Sequence, residues 1–368
     1  MVVEWLQDTD SFVIYGAQVI AYGAYTAIMR LTGRKPECFV VGKTKGKANY
    51  PTGNPEQIEG IPVRPIEEIP EDSYIVVGVT ELIQKEVLPF LTENGYHNVF
   101  PLTQHEEHLL MSAYYGSIGK FPVIGRTSDS SKKLPEIESD GAREVDFALY
   151  EVRNDRDKPL ADHPDLFSFE IPIQAGAALT DTKIACISDN TGDNISEKNR
   201  MYCEMTVAYW IWKNTLHEWV GLEHYRRHLL IKPEMLLDDI DAIMPLPYIC
   251  YPHEVSQFLR FTTEGVFNAL LKSLQELHQD EYEEYRSILY GKYQYTYDLV
   301  CARKPVYDDY CRWFFEITEY MEDKMSETVP ELLETRAFSY VAEVLTNLYF
   351  MSHQKALRIR HVEKEIYV

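Results

Sequence analysis

The segment from Glu223 to Arg227 combines side chains that can bind phosphate with one that can transfer a proton. It reads Glu223-His224-Tyr225-Arg226-Arg227. Guanidinium groups pair with phosphate oxygens through two parallel hydrogen bonds, so Arg226 and Arg227 are candidates for holding a diphosphate, with Tyr225 beside them. His224 can supply a hydrogen bond, a metal ligand or a proton-transfer group. An ion-paired surface turn that uses Glu223 explains the same residues equally well on composition alone.

A polar, turn-forming run at residues 189–196 precedes this segment in the chain. It ends in Ser196, a good N-cap for a helix that we predict over residues 197–214. Helix N-termini attract phosphates and carboxylates, and a loop that only caps a helix does not need so many amides and carboxylates. We therefore predict that a ligand is bound by Asp189, Asn190, Asp193, Asn194 and Asn199.

Two predicted elements must position these side chains. An apolar run at residues 219–222 favours a strand, and the carboxyl end of a strand in an α/β sheet opens onto the ligand crevice. The predicted helix 197–214 is apolar or aromatic on most sides, so it should be largely buried. Core packing explains most of its aromatic residues, and sugar stacking by Trp210 or Trp212 is the alternative.

The first hundred residues alternate strand-like and helix-like runs. Strands are predicted at 12–15, 38–41, 61–63, 74–77 and 98–100, and helices at 19–31 and 81–94. This βα alternation predicts an α/β fold with a Rossmann-like parallel sheet. Gly16 follows the first strand, but the second and third glycines of a dinucleotide-binding loop are missing, which favours a structural or partner-docking role.

The chain length of 368 residues favours two domains, with a single large α/β enzyme as the alternative. Residues 126–143 are polar and lack apolar periodicity, so we predict a Rossmann-like domain at 1–125, a linker at 126–143 and a second domain at 144–368. The second domain should open with a strand at 145–150.

Composition excludes several classes of protein. The net charge of −22 repels a phosphate backbone and argues against nucleic acid as a partner. The sequence shows neither a signal peptide nor an apolar run of about 18 residues that would span a membrane. The six cysteines lack C-x-x-C spacing, and we expect reduced thiols in a cytoplasmic protein.

Several motifs together resemble a known family. They are Asp193-Asn194-Ile195-Ser196, Tyr209-Trp210-Ile211-Trp212-Lys213-Asn214, Val220-Gly221-Leu222, His224-Tyr225-Arg226-Arg227, and Arg336-Ala337-Phe338 with Glu343. This set resembles the family catalogued as domain of unknown function 4422, whose members occur in capsular and exopolysaccharide gene clusters and are regarded as glycosyltransferases. The resemblance covers about residue 145 to the end of the chain.

The resemblance implies a GT-A-like α/β glycosyltransferase domain with a helical C-terminal part. The activity would be of the hexosyltransferase type, moving a sugar from a nucleoside diphosphate donor to a saccharide or lipid-linked saccharide. Some members are linked to galactofuranose transfer, so UDP-galactofuranose is a candidate donor. The pathway would be capsular polysaccharide or exopolysaccharide biosynthesis.

Two segments depart from the family pattern. The family usually has Asn-Met after an aromatic residue where this chain has Asp298-Leu299, which affects expected acceptor contacts. Its first strand tends to end in Thr-His-Lys, whereas this chain has Glu151-Val152-Arg153, in which Arg153 can replace a phosphate contact.

Glycosyl transfer with inversion needs a carboxylate to accept the proton of the acceptor hydroxyl, and positive charge or a metal at the leaving diphosphate. We assign catalytic roles to His224, Glu223 and Asp298, while Glu343 is another conceivable base. Asp239 and Asp241 have the Asp-x-Asp spacing of a Mn²⁺ or Mg²⁺ site, although they precede an apolar run instead of following one. The histidine and arginines can equally make the reaction metal-independent.

Two other classes of function stay open. One is a non-catalytic sugar- or nucleotide-binding or regulatory protein of the same pathway, and the other is a nicotinamide-dependent sugar-modifying enzyme. A cytoplasmic protein of this charge would reach the inner face of the cell membrane peripherally, by docking to a protein complex. Homo-oligomerisation is undecided by the sequence.

Overall fold

Two α/β sheets organise the protein, one in each half of the chain. The computed structural model describes residues 1–42, 54–124, 145–162, 164–328, 330, 333 and 335–368. The predicted linker at 126–143 lies outside the described residues, so the division into domains at 1–125 and 144–368 stays a prediction.

The N-terminal half contains the parallel sheet that the βα alternation predicts. Its strands are β1 (Val13–Tyr15), β2 (Phe39–Val41), β3 (Gln57–Ile58), β4 (Ile61–Pro65), β5 (Ile75–Val77) and β6 (Val99–Pro101), in the order β3-β4-β2-β1-β5-β6. Only the β3–β4 pair is antiparallel among these described strands. The helices are α1 (Val2–Trp5), α2 (Val19–Thr32), α3 (Glu81–Glu93) and α4 (Gln104–Ser117).

Gly16 allows close packing at the end of β1. Its φ is +117°, and a Cβ there would lie 2.7 Å from the carbonyl oxygen of Gly78. A side chain at this position would therefore collide with the turn after β5.

The second half is built on a mixed sheet. Its strands are β7 (Phe147–Arg153), β8 (Glu170–Gln174), β9 (Ile187–Ser188), β10 (Trp219–His224), β11 (Arg227–Leu229), β12 (Ala242–Pro245), β13 (Tyr248–Ile249), β14 (Tyr293–Gln294), β15 (Val300–Arg303), β16 (Ile359–Val362) and β17 (Lys364–Ile366). The main path is β16-β12-β15-β10-β7-β8-β9, in which β7, β8, β9 and β10 run parallel and β15 runs antiparallel to β10. A small β13–β14 pair stands apart, and β11 joins β10 to β17.

Helices cover this sheet. They are α5 (Asn199–Tyr202), α6 (Met205–Asn214), α7 (Glu254–Phe258), α8 (Glu264–Leu277), α9 (Tyr282–Leu289), α10 (Lys304–Thr328) and α11 (Ala337–Ser352). The mixed α/β architecture and the helical C-terminal part agree with the predicted fold class. No helix in the described ranges is both long and apolar enough to cross a membrane.

The prediction of one continuous helix over 197–214 is wrong. A 3₁₀ turn at Ser196–Lys198 leads into α5. The helix is then interrupted at Cys203, where φ is +48°, before α6 begins. Ser196 does not cap a helix, because its hydroxyl donates to Asp189 and accepts from the Ala178 amide.

The aromatic residues Tyr209, Trp210 and Trp212 of α6 pack against the core but stay partly exposed, so the predicted burial of this segment is incomplete. The ring of Trp212 stacks on Phe315 with an interplanar angle of 3°, and the indole N–H of Trp210 donates to the Thr191 carbonyl at 3.0 Å.

One apolar core continues between the two sheets. Tyr115 of α4 donates a hydrogen bond of 2.8 Å to the Pro247 carbonyl, and Phe121 packs edge-on against Tyr293 at 5.1 Å between centroids. The backbone N–H of His361 donates to the Pro122 carbonyl at 2.9 Å. These contacts hold the N-terminal sheet against the part of the chain that carries the arginines.

Candidate functional site

A cavity of about 900 Å³ opens at the carboxyl ends of β7, β8 and β10. Its wall contains residues that directly follow each of these strands, which is the edge where ligands bind in open α/β sheets. Helix α11 also contributes to the wall, through Ser339, Tyr340 and Glu343. The predicted strand before Arg226 and Arg227 therefore places both residues in the wall of this cavity.

Basic side chains outnumber acidic ones in the wall of this cavity. The basic residues are Arg156, Lys158, Arg200, Arg226, Arg227 and Arg336, and the acidic residues are Asp155, Asp157, Glu204 and Glu343. The whole chain carries a net charge of −22, so this local excess of positive charge favours an anion as the ligand of the cavity.

A tight hairpin presents Arg226 and Arg227. His224 of β10 pairs directly with Arg227 of β11, so Tyr225 and Arg226 form the turn between the strands. The Tyr225 amide donates to the Val152 carbonyl at 3.0 Å, which ties the turn to the end of β7. Both arginines line the cavity and are partly exposed.

Arg227 is fixed from two sides. Its guanidinium carbon lies 4.3 Å from the ring centroid of Tyr297, and its Nη1 lies 3.2 Å from Nδ1 of His224. A guanidinium can only donate, so Nδ1 must accept and the imidazole is neutral. Burial and the neighbouring arginines hold the pKa of His224 well below its usual range. His224 lines the cavity as a neutral group, with its Nε2 buried and lacking a hydrogen-bond partner within the described structure.

Two carboxylates share the cavity wall with the arginines. Glu204 and Glu343 line the wall, and burial together with their mutual repulsion raises the pKa of Glu343 to about 7. Burial also raises the pKa of Glu204. A carboxyl group with a pKa near neutrality is suited to accept a proton during a reaction.

Asp298 lies outside the cavity wall, contrary to the prediction of a catalytic role there. Its side chain is 3% exposed and its Oδ1 accepts a hydrogen bond of 2.7 Å from Thr346. Burial raises its pKa well above the usual range, with Glu343 adding to the shift. Glu343 is therefore better placed than Asp298 to act as a base.

Glu223 also points away from the cavity, which corrects its predicted catalytic role. Side chains alternate along β10, so Glu223 faces the side of the sheet opposite to His224. It is fully buried, and its Oε2 accepts a hydrogen bond of 3.1 Å from the Leu229 amide. Glu223 therefore stabilises the hairpin on the face of the sheet opposite to the cavity.

The structure also corrects the ligand-binding role that was predicted for Asp189. The carboxylate is fully buried and accepts from the amides of Gly176 and Ala177 and from the hydroxyls of Ser196 and Thr206. Asp189 thereby shapes the turn after β8 instead of meeting a ligand.

The other predicted residues of this loop do not reach the cavity wall. Asn190 accepts from Ser188, Asp193 accepts from Tyr209, and Asn194 bonds the backbone of its own loop. These local bonds leave the loop folded on itself and on α6, away from the arginines.

Asn199 does line the cavity, but its amide is engaged within the protein. Its Nδ2 donates to the Cys203 carbonyl at 2.7 Å and to the Thr206 hydroxyl at 3.0 Å. Its Oδ1 accepts from Asn154 at 3.3 Å. Asn199 joins the ends of β7 and α5 at the cavity floor.

The predicted metal pair Asp239 and Asp241 is at the wrong edge of the sheet for a donor site. Strand β12 runs in the same direction as β10, and Asp241 comes immediately before it, at the amino edge. Asp241 forms a bidentate pair with Arg358 at 2.9 and 2.8 Å, and Asp239 is exposed. After β10, where Asp-x-Asp would hold a metal, the cavity meets His224, Arg226 and Arg227. These three side chains in place of a carboxylate pair do not fit a divalent cation at the end of β10.

Sequence reasoning missed several cavity residues. They are Arg156, Lys158, Arg200, Glu204 and Arg336. Arg336, Ser339, Tyr340 and Glu343 are spaced to share one face of α11, and this spacing was the signal available in the sequence.

Comparison with known proteins assigns the chain to a family. The family described as "Domain of unknown function (DUF4422)" matches residues 164–355, which is more than half of the chain. The chain belongs to this family. A search of curated proteins finds no match.

A solved structure entitled "WbbM bifunctional glycosyltransferase apo structure" is similar, with a TM-score of 0.52 and 24% sequence identity. The alignment covers 60% of this chain and 45% of that one, so this chain spans less than half of its length. The similarity shows that the DUF4422 chain shares a fold with a glycosyltransferase.

Proposed function

We propose that this protein transfers a sugar from a nucleoside diphosphate donor to a saccharide acceptor. The observation that carries the proposal is the cavity at the carboxyl ends of β7, β8 and β10, whose wall contains both Arg226 and Arg227 and the carboxylates of Glu204 and Glu343. This arrangement offers cations for a leaving diphosphate and a carboxylate for an acceptor hydroxyl.

Arg226 would bind the diphosphate most directly. It lies at the turn of the hairpin, with no described salt bridge to a carboxylate, and lines the cavity beside Arg227. Charge that develops on the departing diphosphate is stabilised by donors that are already in place. The contacts of Arg227 with Tyr297 and His224 hold its guanidinium in position before the donor arrives.

Glu343 would accept the acceptor proton. Its raised pKa makes it a stronger base than an ordinary glutamate, and repulsion from Glu204 keeps the two from ionising independently. The acceptor hydroxyl would then attack the anomeric carbon while the bond to the diphosphate breaks. The acceptor proton passes to Glu343, and the bonding electrons leave with the diphosphate.

Finer parts of the proposal rest on the family resemblance. They are a UDP-linked hexose, with UDP-galactofuranose as the first donor to test, and a capsular or exopolysaccharide acceptor that carries a lipid at its reducing end. The reaction would take place in the cytoplasm, with peripheral or complex-mediated association at the inner membrane face.

Calorimetric titration with UDP tests the binding role. Replacing Arg226 and Arg227 together with Ala should weaken UDP binding about 100-fold or more, since charged hydrogen bonds each contribute about 1.5–3 kcal/mol. Arg312→Ala is the matched control, because Arg312 is exposed on α10 and pairs with Asp309. Equal affinity in the double variant and the control would overturn the assigned site.

A second assay separates a transferase from a binding protein. The protein is incubated with UDP-sugars, and release of UDP is followed with and without saccharide acceptors. A transferase hydrolyses its donor slowly, whereas a binding protein retains it. Tight UDP binding without release from any donor would favour the non-catalytic alternative.

A further inference from the structure

A buried group of carboxylates and one imidazole lies under the β10–β11 hairpin, on the opposite side of the sheet from the cavity. Glu223, His228, Glu170 and Glu151 are exposed by 0%, 3%, 8% and 1%. Glu223 and His228 flank the His224–Arg227 pair that closes the hairpin, whereas Glu170 and Glu151 come from β8 and β7. Four strands therefore converge on this group.

The distances in this group match ligand separations around a small cation. Nδ1 of His228 lies 3.2 Å from Oε1 of Glu223 and 3.4 Å from Oε1 of Glu170. Hydrogen bonds between an imidazolium and a carboxylate are usually shorter, about 2.7–2.9 Å. Tetrahedral bonds of about 2.0 Å to zinc would place ligand atoms about 3.3 Å apart.

Unpartnered atoms and charge support the same conclusion. Oε1 of Glu223 and Nε2 of His228 are both buried without a hydrogen-bond partner in the described structure. Arg153 balances one of the three carboxylates by pairing with Glu151 at 2.7 Å. A histidine that ligates a metal is neutral, so in the metal-bound form Glu170 and Glu223 would leave two negative charges in a buried site, which is costly without a cation. One divalent cation would neutralise them.

Glu151 occupies the position of an outer partner. Its Oε1 lies 3.9 Å from Nε2 of His228, the nitrogen that points away from Glu170 and Glu223. Metal-bound histidines commonly direct their second nitrogen towards a carboxylate, which fixes the ring orientation.

We propose that Glu170, Glu223 and Nδ1 of His228 bind one divalent cation of the zinc class. Two carboxylates with one imidazole suit Zn²⁺, with water as the remaining ligand. The ion would hold the base of the hairpin that carries Arg226 and Arg227, and would have a structural role. This site stands on its own residues and does not depend on which ligand the arginines bind.

Metal analysis of the full chain tests the site without nucleotide. Protein stripped with EDTA is incubated with ZnCl₂, freed of unbound metal and measured by mass spectrometry for zinc. We expect about one Zn²⁺ per chain and a rise in the unfolding temperature of about 4 °C or more with Zn²⁺ relative to EDTA. Glu170→Gln and His228→Gln should lose both effects.

Glu365→Gln is the matched control, because Glu365 is exposed and stands opposite His228 in the β11–β17 register. It should keep the zinc and the temperature shift. Wild-type protein that binds no zinc and shows no shift would overturn the proposal and leave the group neutralised by protons. Zinc retained in both site variants would overturn it too, by placing the ion elsewhere. If the variants fail to fold, the wild-type comparison decides.

Discussion

Replacing Asp189 with Ala should lower the free energy of unfolding of the protein but leave its binding of UDP unchanged. The buried carboxylate accepts hydrogen bonds of 2.8 and 3.0 Å from the amides of Gly176 and Ala177. These amides cannot turn to new partners, whereas the Thr206 hydroxyl also reaches the Cys203 carbonyl at 3.0 Å. Each buried donor left without an acceptor costs about 1–3 kcal/mol, so the two amides give a loss of about 2–6 kcal/mol.

Urea unfolding, followed by fluorescence, measures this loss as a lower midpoint. Asp193→Ala is the matched control, because Asp193 is exposed and should change the free energy of unfolding by about 0.5 kcal/mol or less. Both variants should bind UDP normally at temperatures where they are folded. A stable Asp189→Ala variant that no longer binds UDP would refute the reasoning and restore Asp189 as a ligand contact.

Three further predictions concern the cavity. Activity should fall about tenfold between pH 8 and pH 6, because a base with a pKa of about 7 becomes protonated as the pH drops. Glu343→Gln should remove most of the activity, and the activity that remains should not depend on pH in this range. A Glu343→Gln variant with the same pH dependence as the wild type would exclude Glu343 as the base. Arg336→Ala should weaken UDP or acceptor binding, measured by calorimetry, while Arg312→Ala should not. Equal affinities in the two variants would show that Arg336 is not part of the site. Gly176→Ala should lower the unfolding temperature, because φ is +66° and the new Cβ would lie 2.6 Å from Asn199; an unchanged temperature would show that the turn after β8 can relax.

The ligand-facing end of β10 was predictable from the sequence. An apolar run that leads into His224, Arg226 and Arg227 has a clear physical meaning, because strand ends border the crevice of an α/β sheet. The alternation of side chains along the same strand also separates His224 from Glu223, although the sequence prediction did not use it.

The role of Asp189 was not predictable from the loop in which it lies. Its carboxylate accepts hydrogen bonds from the amides of Gly176 and Ala177, which follow a different strand. It also accepts one from the hydroxyl of Thr206, which lies after the helix interruption at Cys203. A dense polar loop can bind a ligand or fold on itself, and only tertiary contacts distinguish the two.

The acidic side of the cavity also required the fold. Glu204 and Glu343 are far apart in the sequence and meet because α5, α6 and α11 pack over the carboxyl edge of the sheet. Glu204 lies in no local pattern that separates it from an ordinary surface glutamate, whereas Glu343 is spaced to share a helix face with Ser339 and Tyr340.

A crystal structure of the protein with UDP bound tests the central claim most directly. The diphosphate should lie within hydrogen-bonding distance of Arg226 at the carboxyl ends of β7, β8 and β10, with Glu343 across the cavity from it. UDP bound beside the loop at residues 189–194, or outside this cavity altogether, would contradict the account.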